Sequence, residues 1–413
     1  MTVGETLTCT VTTLAYGGDG VARVDGRVLF IPDTAPGDTV MVRIRQIKKN
    51  FARATALQLL KASASRAEPC CRLGEKLSGA LIRAPGCVYD HLSYLAELHV
   101  KTEQLTGFLN RFSEPTPIPL LPSVGAPATL HYRNKIVLHA DRTRDGVLLG
   151  YRQEPSHRVL DIACCPLACE SINSALSAFR LSPQFQSLPQ DADVTFRHTA
   201  HDGTCYWVNR ETPVGNSPDL LTEQSPAGPL LVPREGFYQV NPLVGDLLVR
   251  TVAAWFAERP TCSQLIDLYC GVGVFGLACL VRGGSSRLIG IESGREAVAA
   301  ARLNAASLGV DATFLCHALG HSPLSLNSLI DAPQQATAIV DPPREGMTID
   351  MTSALATSGV ARIFYVSCDP ATLTRDLTRL CAGGRYRLTR AQLFDMFPRT
   401  AHFETVVELR LAE

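Results

Sequence analysis

The last part of the chain constrains the fold most. From about residue 236, short apolar runs such as QLIDLYC, RLIGIES, ATAIVDPP and ARIFYVSCDP alternate with helical stretches such as AVAAARLNAASLG. A continuous apolar run suits a strand covered on both faces, and strands separated by helices are joined by crossovers. This region therefore predicts a doubly wound parallel sheet in an α/β fold. Such sheets bind ligands outside the carboxyl ends of their strands, so the loops that follow these runs are where chemistry is expected.

A chain of 413 residues exceeds one ordinary core, and the texture changes twice before residue 236. Residues 1–60 alternate apolar and polar positions in short runs (LTCTV, GVARV, RVLFIP) broken by GGDG, VDGR and APGD, which is turn chemistry. They predict a small OB-like β-barrel. A cysteine-containing segment follows, then a helical period in HLSYLAELHVKTEQLTGFLNRF, then short strands such as ATLHYRNKIVLHA and GVLLGYR. Residues 61–235 are read as a mixed α+β middle domain with that helix packed on it, and residues 236–413 as the α/β domain.

Lys+Arg and Asp+Glu balance at 39 each, so net charge names no polyanionic partner. Charge is nevertheless segregated: no lysine follows Lys135, and Arg43, Arg45, Lys48, Lys49 and Arg53 make a basic strand. Attached to a barrel, that strand suits an oligonucleotide-binding module, the alternative being a solvated strand edge. The sequence has no apolar run of bilayer length, and its start, MTVGETLTCTVTTLAYGG, lacks a basic leader with an apolar core. A cytoplasmic location without membrane contact is expected, and nothing calls for an obligate protein partner. The 14 cysteines are then expected as thiols for packing, metal ligation or catalysis rather than as disulfides.

The turn after the first strand of the last domain reads DLYCGVGVFG, from Asp267 to Gly276. Its G-x-G-x-x-G, with Gly271 and Gly273 leading, also occurs in dinucleotide enzymes, which keeps an NAD-dependent oxidoreductase in view. Glu292 ends the next strand, where a carboxylate accepts both ribose hydroxyls of an adenosyl group. Asp341-Pro342-Pro343-Arg344 ends a later strand, and a rigid Asp-Pro-Pro loop there is typical of methyltransferases that act on bases or amides. S-adenosylmethionine is the expected cofactor.

Phe237-Tyr238-Gln239-Val240-Asn241, the DLYCG turn, DPPREG, VSCDP and FPRTAHFETV follow one another in this order. Together they resemble the RNA uracil-5-methyltransferase family, and GGDGVARVDGRVLFIPDTAPGDTV resembles the TRAM domain attached to many RNA-modifying enzymes. The resemblance implies transfer of a methyl group to carbon 5 of a uridine in ribosomal or transfer RNA, with Gln239, Tyr269, Glu292 and Asp341 contacting the cofactor beside Gly271 and Gly273. One departure lies after the strand ATFLC, where the family usually has an acidic residue near the adenine and this chain has Cys316-His317.

Carbon 5 of uracil is too poor a nucleophile to take a methyl group directly, so a thiolate must first add to carbon 6. Cys368 follows the strand IFYVS, at the ligand-binding edge of the sheet, and the helix that begins after it offers a dipole that lowers a thiol pKa. The resemblance assigns Glu404 to the removal of the carbon 5 proton, with His402 two residues earlier on the same strand face. Phe237 is a candidate to stack on the extruded base, and Tyr132-Arg133-Asn134-Lys135 and Ser156-His157 are candidates to meet phosphates. The plainer readings are packing for the cysteine and solvation for the glutamate, and with them a noncatalytic RNA-binding scaffold.

Family members often carry a 4Fe–4S cluster on four cysteines. By resemblance Cys87 and Cys165 match two of these, Cys70 or Cys71 a third, and Ala84 stands where another ligand is usual. Taking Cys70, Cys71, Cys87 and Cys165 together restores four thiolates, with Cys164 as a substitute for Cys165. A structural zinc or no metal are the alternatives.

Overall fold

The protein is described by a computed structural model. It describes residues 1–71, 74–75, 81–82, 84–112, 118–153, 156–209, 214–259, 262–282, 286–320 and 326–412.

Six strands open the chain: β1 (Thr6–Thr10), β2 (Thr13–Leu14), β3 (Gly20–Val24), β4 (Arg27–Ile31), β5 (Thr39–Ile47) and β6 (Phe51–Lys61). They form one curled sheet in the order β1-β5-β6-β4-β3-β2. Alternation decides the faces. Val40, Val42, Ile44, Ala52 and Ala54 point inward to the core, whereas Arg43, Arg45 and Arg53 stand between them in solvent. The basic strand expected from the sequence is thus one outer face of this sheet.

After the short pair β7 (Gly74–Glu75) and β8 (Leu81–Ile82) comes helix α1 (Tyr94–Leu109), capped by the Ser93 hydroxyl, which accepts from the Ala96 N–H. A second six-stranded sheet contains β9 (Lys135–Thr143), β10 (Gly146–Arg152), β11 (Val159–Asp161), β12 (Asp193–Thr199), β13 (Gly203–Asn209) and β14 (Val214–Gly215), all antiparallel, with helices α2 (Glu170–Arg180) and α3 (Pro183–Gln186). The hairpin of β15 (Leu220–Ser225) and β16 (Gly228–Pro233) leads to the last region.

There α4 (Pro242–Ala257), β17 (Gln264–Leu268), α5 (Val274–Val281), β18 (Arg287–Glu292), α6 (Arg295–Leu308), β19 (Ala312–Cys316), β20 (Ala336–Val340), α7 (Ile349–Thr357), β21 (Arg362–Ser367), α8 (Pro370–Leu380), β22 (Tyr386–Phe394) and β23 (Glu404–Leu411) build a seven-stranded sheet. Its order is β19-β18-β17-β20-β21-β23-β22, parallel from β19 through β21, with β23 antiparallel to both neighbours. The inner parallel strands β17, β20 and β21 are buried on both faces: Leu265, Ile339 and Phe364 pack with α4, α5 and α6, while Ile266, Val340 and Ile363 pack with α7 and α8.

Helix α1 does not pack on the middle sheet as expected. Its Leu105 and Leu109 join the core beside α8, and its Val100 packs with Leu14 and Ala35 of the N-terminal region and with Ala401. The helical period shows that one face is apolar, but the surface that covers this face is decided by the rest of the fold.

Candidate active site

The strand β17 ends in a turn that only an unusual backbone can make. Tyr269 has φ 61° and Gly271 and Gly273 have φ 53° and 88°. For a tyrosine that conformation costs on the order of 1–3 kcal/mol, a strain typical of functional loops. Gly273 caps α5, and an added Cβ there would lie 3.0 Å from Phe314. Asp267, fully buried, anchors the turn by accepting from the Gly276 N–H at 2.9 Å. Burial pushes its carboxyl up to about 7.

Gln239, Tyr269, Gly271, Glu292, Asp341, Cys368 and Glu404 line one cavity of about 580 Å³, within the range of small-molecule sites. Glu292 is held from behind: its carboxylate accepts from the N–H groups of Gly271 (3.2 Å) and Gly294 (2.7 Å). Buried Gln239 Oε1 has no hydrogen-bond partner among the described residues. An unpaired buried acceptor, a fixed carboxylate and a cavity of this size fit an adenosyl cofactor with ammonium, amino and hydroxyl donors. His317 lines the same cavity, while Cys316 beside it is exposed. Gly273 lies behind the wall and shapes the turn rather than lining the cavity.

Cys368 follows β21, half-buried, and its thiol is pushed up to about 12 by burial, then by the charges of Glu404 and Asp341, with Arg344 acting the other way. The expected help from the helix dipole is already taken: Asp369 Oδ1 accepts from the N–H groups of both Ala371 and Thr372 at 2.9 Å, capping α8. Glu404 opens β23 and is buried, and burial followed by Asp341 raises its carboxyl well above the usual range. Asp341 is raised to about 7 by burial and by Asp267. Burial thus raises Asp341, Cys368 and Glu404 together, while the exposed Arg344 guanidinium draws Cys368 and Glu404 toward their anions.

The sequence assigns Arg344 no role; its positive charge next to the Asp-Pro-Pro run was the available signal, and it shares the cavity lining with the carboxyl groups of Glu292, Asp341 and Glu404. A second feature could not be read from the chain. Buried Lys101 of α1 donates to Glu97 and Asp395, each at 2.7 Å, and to the Phe397 carbonyl at 3.1 Å. Arg399, at φ 70°, donates its N–H to Glu97. These contacts fix the loop from Asp395 to Phe403 that delivers Glu404. Breaking such a buried pair costs about 3–5 kcal/mol because a charge is left uncompensated.

The proposed cluster ligands do not assemble. The Cys70 thiol turns to the Asp90 carboxylate at 2.8 Å, and its pKa is pushed up to about 12 by burial and that contact. Cys71 and Cys87 hydrogen-bond to each other, which with burial raises the Cys87 thiol, and the Ala84 N–H points at Cys71 Sγ. Cys165 accepts from the Tyr151 hydroxyl at 3.4 Å, Cys164 is exposed, and Ala84 is buried where another thiolate is needed. Among the described residues no group of three or more His, Cys, Asp or Glu is set to hold a metal ion. The 4Fe–4S expectation on Cys70, Cys71, Cys87 and Cys165 is overturned, and zinc with it. The physical reason is that these sulfurs are taken up by neighbours, Cys70 by Asp90, Cys71 by Cys87 and the Ala84 N–H, and Cys165 by Tyr151, and that Cys71, Ala84, Cys87 and Cys165 lie in one packed core.

A doubly wound sheet with a glycine turn, a ribose-facing carboxylate and an Asp-Pro-Pro loop on one cavity defines a class I S-adenosylmethionine-dependent methyltransferase. Residues 1–57 match the TRAM domain, and residues 324–411 match the tRNA (Uracil-5-)-methyltransferase family. The chain is 30% identical to an uncharacterized RNA methyltransferase of Thermosynechococcus vestitus, covering 98% of both chains. It is 31% identical to a 23S rRNA (uracil(1939)-C(5))-methyltransferase of Acidithiobacillus ferrooxidans, covering 94% of both. A Pyrococcus abyssi tRNA (uracil-54, C5)-methyltransferase solved with S-adenosyl-L-homocysteine shares the fold, with a TM-score of 0.71 at 23% identity over 98% of this chain and 100% of that one. The chain belongs to the RNA uracil-5-methyltransferase family: it transfers a methyl group from S-adenosylmethionine to carbon 5 of a uridine in structured RNA. The oxidoreductase and scaffold alternatives are set aside. No helix among the described residues is long and apolar enough to cross a membrane.

Proposed function

We propose that the target uridine lies in ribosomal RNA and that Cys368 is the nucleophile and Glu404 the base of the reaction. The observation that carries the assignment is that Cys368 and Glu404 face the same cavity as Gln239, Glu292 and Asp341. In this reading residues 1–60 grip RNA through the face of Arg43, Arg45, Lys48, Lys49 and Arg53, residues 61–235 frame the RNA, and residues 236–413 hold the cofactor and do the chemistry. The enzyme works in the cytoplasm. Two relatives matched over nearly their whole length bear the name of 23S rRNA uracil methyltransferases, which supports ribosomal RNA; the tRNA-named structural neighbour supports transfer RNA as the second reading.

S-adenosylmethionine, when bound, supplies the electrophilic methyl group. Glu292 would accept from its ribose hydroxyls, and Gln239, Tyr269 and Asp341 would hold the rest beside the turn of Gly271 and Gly273. Phe237, 71% exposed on the rim, is placed to stack on an extruded base. Cys368 releases its thiol proton to solvent and the thiolate forms a sulfur–carbon bond at carbon 6, which places the electron pair on carbon 5 and makes it nucleophilic. Once carbon 5 carries the methyl group, Glu404, acting as the carboxylate that Arg344 favours against burial, takes the carbon 5 proton and the sulfur–carbon bond breaks, returning Cys368 as thiolate.

Glu404→Gln tests this reading. It keeps the thiol but lacks the base, so a methylated RNA–protein adduct accumulates that survives denaturing electrophoresis and carries label from radioactive cofactor. Normal turnover without trapped RNA removes Glu404 from the role, and label confined to transfer RNA selects the second target.

A further inference from the structure

The loop between β2 and β3 of the N-terminal sheet carries Tyr16 into the wall of the catalytic region. Its hydroxyl lies 3.3 Å from Nδ1 of His402. Its ring stands edge-on to Phe108 of α1 (5.7 Å between centroids), to His402 (6.2 Å) and to Phe403 (6.0 Å). His402 in turn packs edge-on against Phe397, a cavity residue, at 6.4 Å. The phenol is close enough to Asp369, the Cys368 thiol and Arg344 to feel their charges. The loop is clamped in place: Gln104 of α1 donates to the Leu14 carbonyl at 3.1 Å, and Leu14 packs with Ala401.

Both partners of the hydrogen bond are neutral near physiological pH. Burial, then Asp369 and Cys368, raise the Tyr16 phenol, so its O–H keeps its proton. Burial, then Arg344 and Lys101, hold His402 below its ordinary value. A protonated phenol can donate to Nδ1 or accept from an Nδ1–H; because the Tyr16 hydroxyl has no other acceptor among the described residues, donation is the arrangement that satisfies its O–H, and the ring proton then sits on Nε2. Among the described residues nothing pairs with that Nε2.

We propose that Tyr16 is a positioning residue of the active site, which fixes His402 in the Nε2–H tautomer so that its ring offers a hydrogen-bond donor to the nucleotide entering beside Glu404. The N-terminal barrel then completes the catalytic pocket as well as gripping RNA. The role in turnover rests on the uridine chemistry proposed above; the tautomer does not.

Tyr16→Phe in the full chain separates the two, because it keeps the ring contacts and removes the hydroxyl. Ring-nitrogen shifts of His402, read by heteronuclear NMR, pass from the Nε2–H pattern to a mixture of tautomers. Methyl transfer loses about tenfold in kcat with the affinity for S-adenosylmethionine unchanged, the scale of one lost hydrogen bond. In a His402→Gln background the same substitution has no further effect, because the partner through which it acts is gone. An unchanged tautomer overturns the proposal whatever happens to turnover. A changed tautomer with wild-type kcat overturns the part in catalysis, and failure of Glu404→Gln to trap RNA leaves the NMR result standing.

Discussion

The chain places cysteines beside motifs in two regions, and their fates differ. Around Cys70, Cys71, Cys87 and Cys165, and at Cys368, burial raises the thiols whose shift is resolved. What differs is what faces them. The first group meets Asp90, Tyr151, the Ala84 backbone and one another, all at packing distance. Cys368 opens on a cavity, with Arg344 acting against the three acids, Glu404, Asp341 and Asp369, that disfavour its thiolate. Nearness of thiols therefore does not make a site; a cavity that admits a ligand and a charge that favours the anion do.

The widest separation of the two regions is kinetic. Cys368→Ala removes the nucleophile, so methyl transfer falls by about a thousandfold or more. Cys87→Ala leaves it within roughly twofold and costs about 1–2 kcal/mol of stability, the usual price of a trimmed core side chain. Radioactive methyl transfer and urea unfolding read both. If Cys87→Ala abolishes turnover in a folded protein, the contrast breaks.

The charge that distinguishes Cys368 is tested next. A cation beside a thiol favours the thiolate, so Arg344→Met raises the Cys368 thiol further above about 12 and leaves less thiolate at any given pH. Turnover at neutral pH falls roughly tenfold, and the rising alkaline limb of the pH–rate profile moves to higher pH. A limb that stays in place or moves toward acid removes Arg344 from this part.

The smallest expected effect is on the packed cysteines. Protein purified without oxygen is colourless and carries no iron by elemental analysis, and a chelator shifts Tm by less than about 1 °C, since no bound metal contributes to folding. Stoichiometric iron would restore the cluster that the geometry contradicts.

The readable and unreadable parts divide along a physical line. Apolar runs and turn residues act within a few positions, so the parallel sheet, the barrel, the glycine turn and the Asp-Pro-Pro loop were all legible. Helix α1 was legible as a helix, but its partner was not, because periodicity carries no address. The stretch from Tyr132 to Lys135, expected to meet phosphates, is partly an internal tie: Tyr132 is buried and donates to the Pro398 carbonyl at 3.0 Å, and the Asn134 N–H donates to the Val240 carbonyl at 2.9 Å.

By itself the sequence determined the class of fold and the cofactor, because both are written in local chemistry at short spacing, whereas the pairing of Cys368 with Glu404 was implied by the family resemblance. Only the tertiary structure decided that four cysteines pack instead of binding metal, that Lys101 and Glu97 hold the loop carrying Glu404, and that Tyr16 reaches His402 across 386 positions. Burial, tautomer and proton affinity depend on which distant side chains and charges close around a group, and chain folding alone brings those together.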